Sequence, residues 1–185
     1  MAKPGISISI DWSHFLERCH GLRRPALDRP VALALVDTAK AANVKAASSI
    51  ARHTGLRSAT VKQRLFYDRV NIGDYQTYLR SSRRLIPLMQ FGARQTNPGV
   101  RAARPWGKPQ VFKSTFIATM PSGHRGVFRR SGSRSLPIKE MMGPSIHGTF
   151  AQPSVQATVR ATIRQRLPVL LARRIKSEQR RAGRG

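Results

Sequence analysis

Eight carboxylates, five histidines and a single cysteine are the main resources this 185-residue chain offers for acid–base, nucleophilic or metal chemistry. Catalysis needs titratable groups that converge on one place, and here the acids are scattered. Asp68 and Asp74 are the closest acidic pair in the middle of the chain, where counter-charges to nearby arginines are the better reading. Cys19 and His20, with His14, suggest a thiol nucleophile or a metal site. Adjacent residues diverge around a helix, however, and no second cysteine or spaced histidine pair completes a ligand set. The run Gly-Ser-Arg-Ser at 132–135 lacks the strand–turn–helix setting of a phosphate-binding loop, and neither a Walker A loop nor GxGxxG occurs. The expectation is therefore no catalytic residue, no cofactor and no metal.

What the chain has in excess is cation. Lys and Arg number 34 against 8 Asp and Glu, a formal net charge of +26. Residues 1–55 carry 8 basic and 4 acidic residues, residues 56–150 carry 17 and 3, and residues 151–185 carry 9 and 1. The positive field belongs to the middle and the C-terminal arm. A hydrophobic content of 40% is too high for a disordered basic tail. Nor are acids interspersed as on an ordinary solvated surface. A polyanion such as DNA or RNA, an acidic protein surface or anionic lipid should meet these arginines. Among them Arg80, Arg83, Arg84, Arg94, Arg101, Arg104, Arg129, Arg130 and Arg134 suit phosphates, and such contacts are salt-dependent and blind to sequence. No zinc finger, RNP aromatic pair or KH loop supplies a base reader. Trp106 and Phe112 read as anchors of a loop rather than as a stacking platform.

The elements that must position these cations form an α+β pattern. Ile6, Ile8 and Ile10 alternate with serines as a strand, and a short segment follows from His14 to His20. Asp28 as N-cap, Pro30 in the first turn and apolar residues from Val31 to Ile50 predict a long helix over 28–54. Its Ala39, Ala42, Ala46 and Ala47 permit close approach by another element. Ser58 is read as the cap of a second helix over 59–66. Strands are expected at Tyr67–Ile72, Gln76–Ser82, Leu85–Phe91, Gln110–Met120 and Gly126–Arg130, with Pro87 marking an edge or bulge. Residues 93–109 hold basic residues, no acid and no apolar period, so they read as a long exposed loop. Residues 121–125 form a hairpin turn, and Leu136, Ile138 and Met141 are expected to return the chain to the core. A last helix starts at Pro153 and Ser154 with a stripe from Val155 to Ile175, kinked or restarted at Pro168.

The expected architecture is a long N-terminal helix and a C-terminal helix packed on a small, mostly antiparallel β-sheet with long basic loops. Its parts are an N-terminal strand or arm over 1–25, one domain over 26–176 and a basic flexible tail over 177–185. A single cysteine excludes an internal disulfide framework and suits a reducing compartment. Ile6–Ile10 is too short for a signal h-region, and no stretch nears the roughly 18 apolar residues of a membrane span.

The order of motifs carries a resemblance. IARHTGLR at 50–57, TVKQRL at 60–65 and RLIPL at 84–88 are followed by a Gly/Arg loop and a hairpin. GVFRR at 126–130, LPIKE at 136–140, GPSI at 143–146 and RQRLP at 164–168 complete the series. Together, over roughly residues 35–180, they look like the prophage minor tail protein Z family, the tail-completion proteins of tailed bacteriophages. The resemblance implies a non-enzymatic virion protein of the tail and neck, present in the host cytoplasm during assembly. It implies a homo-oligomeric ring, expected to be a hexamer, that joins tail to head and lets DNA pass. Its partners would be other neck and tail proteins: the tail terminator, the tail tube and the head-completion protein. Genomic DNA in the lumen is a further candidate. Six copies would carry six times +26, or +156 formal charges, tolerable beside DNA or acidic rings.

On that implication Arg94, Arg101, Arg104, Lys108, Arg129, Arg130 and Arg134 are the candidate contacts to DNA or to a neighbouring ring. The Ile6–Ile10 strand or the C-terminal arm is the candidate for reaching a neighbouring subunit. The competing class is a free, basic, sequence-nonspecific nucleic-acid-binding protein. A third is a cationic membrane-active protein acting through its C-terminal helix; core or subunit packing is the commoner use of such a stripe, and no membrane role is expected.

Overall fold

The computed structural model describes residues 5–9, 24–70 and 75–182, and its elements make the protein α+β. Its contacts divide the chain into two compact units, residues 1–46, 65–81 and 153–185 in the first, and residues 47–64 and 82–152 in the second. Cys19, His14, His20 and Asp74 lie outside the described residues, as does the short segment expected between them.

The first unit is built on long helices and one antiparallel sheet. Helix α1 (Arg24–Thr54) contributes its residues up to Ala46, burying Leu27, Val31, Ala34, Leu35, Ala39, Ala42 and Ala46. This is the apolar stripe that helical spacing predicts. The helix starts one turn before the expected Asp28, which lies inside it and accepts a hydrogen bond from the Tyr75 hydroxyl instead of capping. Strands β1 (Ile6–Ser9), β2 (Leu65–Tyr67) and β3 (Gln76–Ser81) form the sheet in the order β1-β3-β2. Ile6, Ile8, Leu65, Thr77 and Leu79 are its buried side chains, alternating along each strand with more exposed ones. Strand β1 thus serves a sheet within its own chain.

The C-terminal helix, α4 in chain order (Pro153–Ala182), runs through Pro168 without interruption. Of the kink or restart expected at Pro168, the restart does not occur. Val155, Val159 and Leu171 are buried on it, while Ile163, Leu167, Leu170 and Ile175 are half-buried. Residues 177–182 of the expected basic tail belong to this helix.

The second unit replaces one sheet by three small antiparallel ones. After α2 (Ser58–Lys62) come β4 (Leu85–Pro87), a 3₁₀ turn (Leu88–Phe91), β5 (Arg94–Thr96), β6 (Gly99–Ala102) and β7 (Gln110–Lys113). Strands β8 (Thr115–Thr119), β9 (Arg125–Arg130), β10 (Ile138–Glu140) and β11 (Met142–Ser145) lead into α3 (Ile146–Phe150). The sheets are β5-β6-β7, β10-β9-β8 and β11-β4. Ile50, Val61, Ile86, Leu88, Phe91, Val100, Val127, Phe128, Ile146 and Phe150 form the buried core.

Four local expectations give way here. Helix α2 stops at Lys62, Ser58 makes no side-chain cap, and Leu65 and Phe66 pair with Ser81 and Arg80. A strand ladder satisfies their backbone, overriding spacing that also suits a helix. Leu85–Phe91 is a strand for only three residues before the 3₁₀ turn. The Gln110–Met120 strand breaks at Ser114, whose φ of 57° is left-handed. Leu136 is 67% exposed, so it does not return the chain to the core, and Ile138 and Met141 are half-buried.

Gly143 shows why this unit needs its glycines. A Cβ there would lie 2.5 Å from the Phe91 ring, inside any real contact distance.

Candidate functional site

Residues 93–109 contain a hairpin, which corrects the expectation of a structureless loop. Strand β5 pairs with β6 in the register Arg94↔Arg101, Gln95↔Val100 and Thr96↔Gly99. The Thr96 hydroxyl donates to the Gly99 carbonyl at 2.8 Å, and the Gln95 amide does so at 3.2 Å. The Gln95 side-chain oxygen accepts from the Ile117 N–H at 2.9 Å, fixing the hairpin to β8. Gly99, with φ of 150°, passes so close to β7 that a Cβ would meet the Phe112 carbonyl oxygen at 2.0 Å. Sequence reasoning missed these strands because three or four residues carry too short a period to recognise.

That register places two guanidinium side chains directly opposite one another. Like charges in this arrangement destabilise a sheet. Arg94 and Arg101 line a recess of about 460 Å³ together with Arg104, Gly92, Ala103 and Pro109. The walls are mostly carbon, from the small residues and the arginine stems. Arg104 is held by one guanidinium N–H directed at the Arg52 carbonyl oxygen at 3.5 Å, while its stem passes Gly55. Among the described residues, no carboxylate lines the recess.

Arg129 and Arg130 sit together on β9. Arg129 donates to the Lys113 carbonyl oxygen at 3.2 Å and stands opposite Lys139 in the ladder, a second like-charge pair. The Arg130 guanidinium lies 5.3 Å from the centre of the Phe116 ring. Arg134 occupies the exposed turn between β9 and β10, closed by the Ser131 N–H donating to the Pro137 carbonyl at 3.0 Å. Lys108 is exposed and does not line the recess. Of the seven predicted contact residues, three share one recess and two share a strand.

The charge balance of this unit is lopsided. Residues 47–64 hold four basic residues and no acid, and residues 82–152 hold twelve and one. The lone carboxylate, Glu140, faces His124 at 2.9 Å. Among the described residues, no lysine or arginine of the unit forms an ion pair. The sequence signal for Glu140 is plain in retrospect, since no other acid lies between Asp74 and Glu178.

Chemistry other than charge is sparse. A second recess, about 420 Å³, is lined by residues including His53, Trp106, Ser145 and Gln152. Trp106 is 56% exposed with its ring 6.1 Å from Phe112. The His53 Nδ1 faces the Ser49 carbonyl at 3.1 Å, and the Ser145 hydroxyl accepts from the Gly148 N–H of α3. Neither contact joins His53 to Ser145 as a nucleophile–base pair. Among the described residues, no three His, Cys, Asp or Glu gather as metal ligands, and no helix is long and apolar enough to cross a membrane.

A family model described as prophage minor tail protein Z matches residues 14–183, nearly the whole chain. No curated protein and no solved structure matches.

Proposed function

The chain belongs to the prophage minor tail protein Z family, a phage tail structural family, and from that premise we propose that it is a tail-completion component of the neck. Copies assemble as a ring, a hexamer in this reading, that joins tail to head and leaves a passage for DNA. The protein catalyses nothing. It is made in the host cytoplasm and meets its neighbours there, among them the tail terminator, tail tube and head-completion proteins.

The observation that supports this reading is the second unit's charge: sixteen cations and one carboxylate, with that carboxylate beside a histidine. Self-repulsion of this size favours a place where another molecule supplies negative charge. A neck conduit supplies it in DNA or acidic rings, and a sequence-blind surface lets every base pair pass. Arg94, Arg101, Arg104, Lys108, Arg129, Arg130 and Arg134 face that negative charge.

The test is genetic. Phage carrying Arg101→Glu with Arg104→Glu should yield normal amounts of soluble, folded protein, yet few particles with joined heads and tails or completed DNA passage. Normal infectious titres from that variant would sink the assignment of these residues. Mass spectrometry of purified virions checks the location independently: a free nucleic-acid-binding protein would be missing from the particles.

A further inference from the structure

We propose that the recess formed by Arg94, Arg101 and Arg104 is a docking seat for an acidic segment of a different protein, one whose carboxylates are interleaved with apolar side chains. Three features carry this inference. The β5–β6 register sets Arg94 opposite Arg101, a repulsive arrangement that an anion between them would convert into an attractive one. The recess has room well beyond a single phosphate group and mostly carbon walls around Ala103 and Pro109. A bare phosphodiester uses the guanidinium forks and leaves those walls uncovered. An acidic segment uses both, placing carboxylates on the forks and apolar stems against the walls.

The occupant comes from another protein because a second copy brings the same net charge of +26 toward a basic recess, and the described carboxylates of this chain already have partners. Asp28 accepts from Tyr75, Asp37 from Arg174 and Asp68 from Arg80; Glu140 faces His124, and Glu178 lies 3.8 Å from Arg181. A second copy pressing its described surface into the recess would bring mainly more cations. Like charge thus disfavours a second copy in the recess and favours an unlike, acidic neighbour. The inference rests on the structural virion role only in saying where the neighbour is found.

The experiment uses the purified full chain and three fluorescent probes: a short peptide of alternating Glu and Leu, its Gln and Leu counterpart, and a short DNA duplex. Anisotropy is read for the wild type, for R94E/R101E, and for R83E/R84E, which changes the same charge on exposed arginines outside the recess. The expected result is that only R94E/R101E weakens the Glu peptide by about tenfold or more, with the Gln peptide binding poorly throughout. Duplex binding should fall alike in both variants, as nonspecific phosphate contacts do. R94Q/R101Q serves if charge reversal prevents folding, and the same selective loss is expected. Equal loss of the Glu peptide in both variants would reduce the seat to bulk charge. Selective loss of the duplex would make it a phosphate site, and no binding of the Glu peptide at low salt would end the proposal. Each of those results leaves the neck assignment to the phage experiment, and failure of the neck assignment leaves this binding result standing.

Discussion

The two units of this chain carry similar numbers of cations, but among the described residues only the first pairs any lysine or arginine with a carboxylate. In the first, acidic residues are distributed so that Arg80 meets Asp68 at 2.6 Å, Arg174 meets Asp37 and Arg181 approaches Glu178. In the second, sixteen cations share one carboxylate, and the sheet register sets Arg94 against Arg101 and Arg129 against Lys139. A sheet with free choice of sequence would place opposite charges at such positions. The difference separates two uses of arginine. One completes a fold by pairing within it; the other keeps its charge available and accepts a modest cost in stability.

The comparison can be broken at several points. The largest effect is expected from packing, because the second unit depends on close approach more than on charge. Gly143→Val would drive a side chain into Phe91 and cost about 3 kcal/mol, read as a lower midpoint in urea denaturation. A midpoint unchanged by this substitution would show that β11 and the Phe91 turn are not packed as described.

Charge substitutions come next, and their signs should differ between the units. Arg80→Gln removes the partner of Asp68 and should lower stability by about 0.5–1 kcal/mol, a modest figure because both side chains are partly exposed. Arg94→Glu places opposite charges across β5 and β6 and should raise stability by a similar amount, about 0.5–1 kcal/mol. Both changes should shrink in 1 M salt, where the screening length is about 3 Å. Loss of stability from Arg94→Glu at low salt would mean that the opposed arginines are not in conflict. Glu140→Gln should have the smallest effect, about 0.5 kcal/mol or less, since His124 is half exposed. A larger loss would show that the single carboxylate organises more of the second unit than its one partner.

Long helices were legible because their signal repeats. Val31, Leu35, Ala39, Ala42, Ala46 and Ile50 occupy one face over several turns, and no competing pattern explains them. Strands β1, β3 and β9 were legible for a similar reason, with alternation or a β-branched and aromatic run bounded by turn residues. Leu65 and Phe66 were misread because Val61, Leu65 and Phe66 fit a helical face, while their ladder partners lie well along the chain at Ser81 and Arg80. The hairpin at 94–102 was misread because its period is too short, and the break at Ser114 comes from a backbone angle that serine rarely adopts. The proposed contact residues were legible as a set of cations. Their grouping was not, since nothing local distinguishes Arg104, in the recess, from Lys108, outside it.

By itself the sequence determined the excess of positive charge, the two long helices, the α+β class and the scarcity of groups able to do chemistry. These are sums over composition or repeats along a few turns, and each is local to the chain. Only the tertiary structure decided that Arg94 opposes Arg101, that Arg104 joins them around one recess, and that Glu140 is occupied by His124. Those facts depend on strand register, and register follows from glycine approaches, core packing and turn geometry spread over the whole second unit.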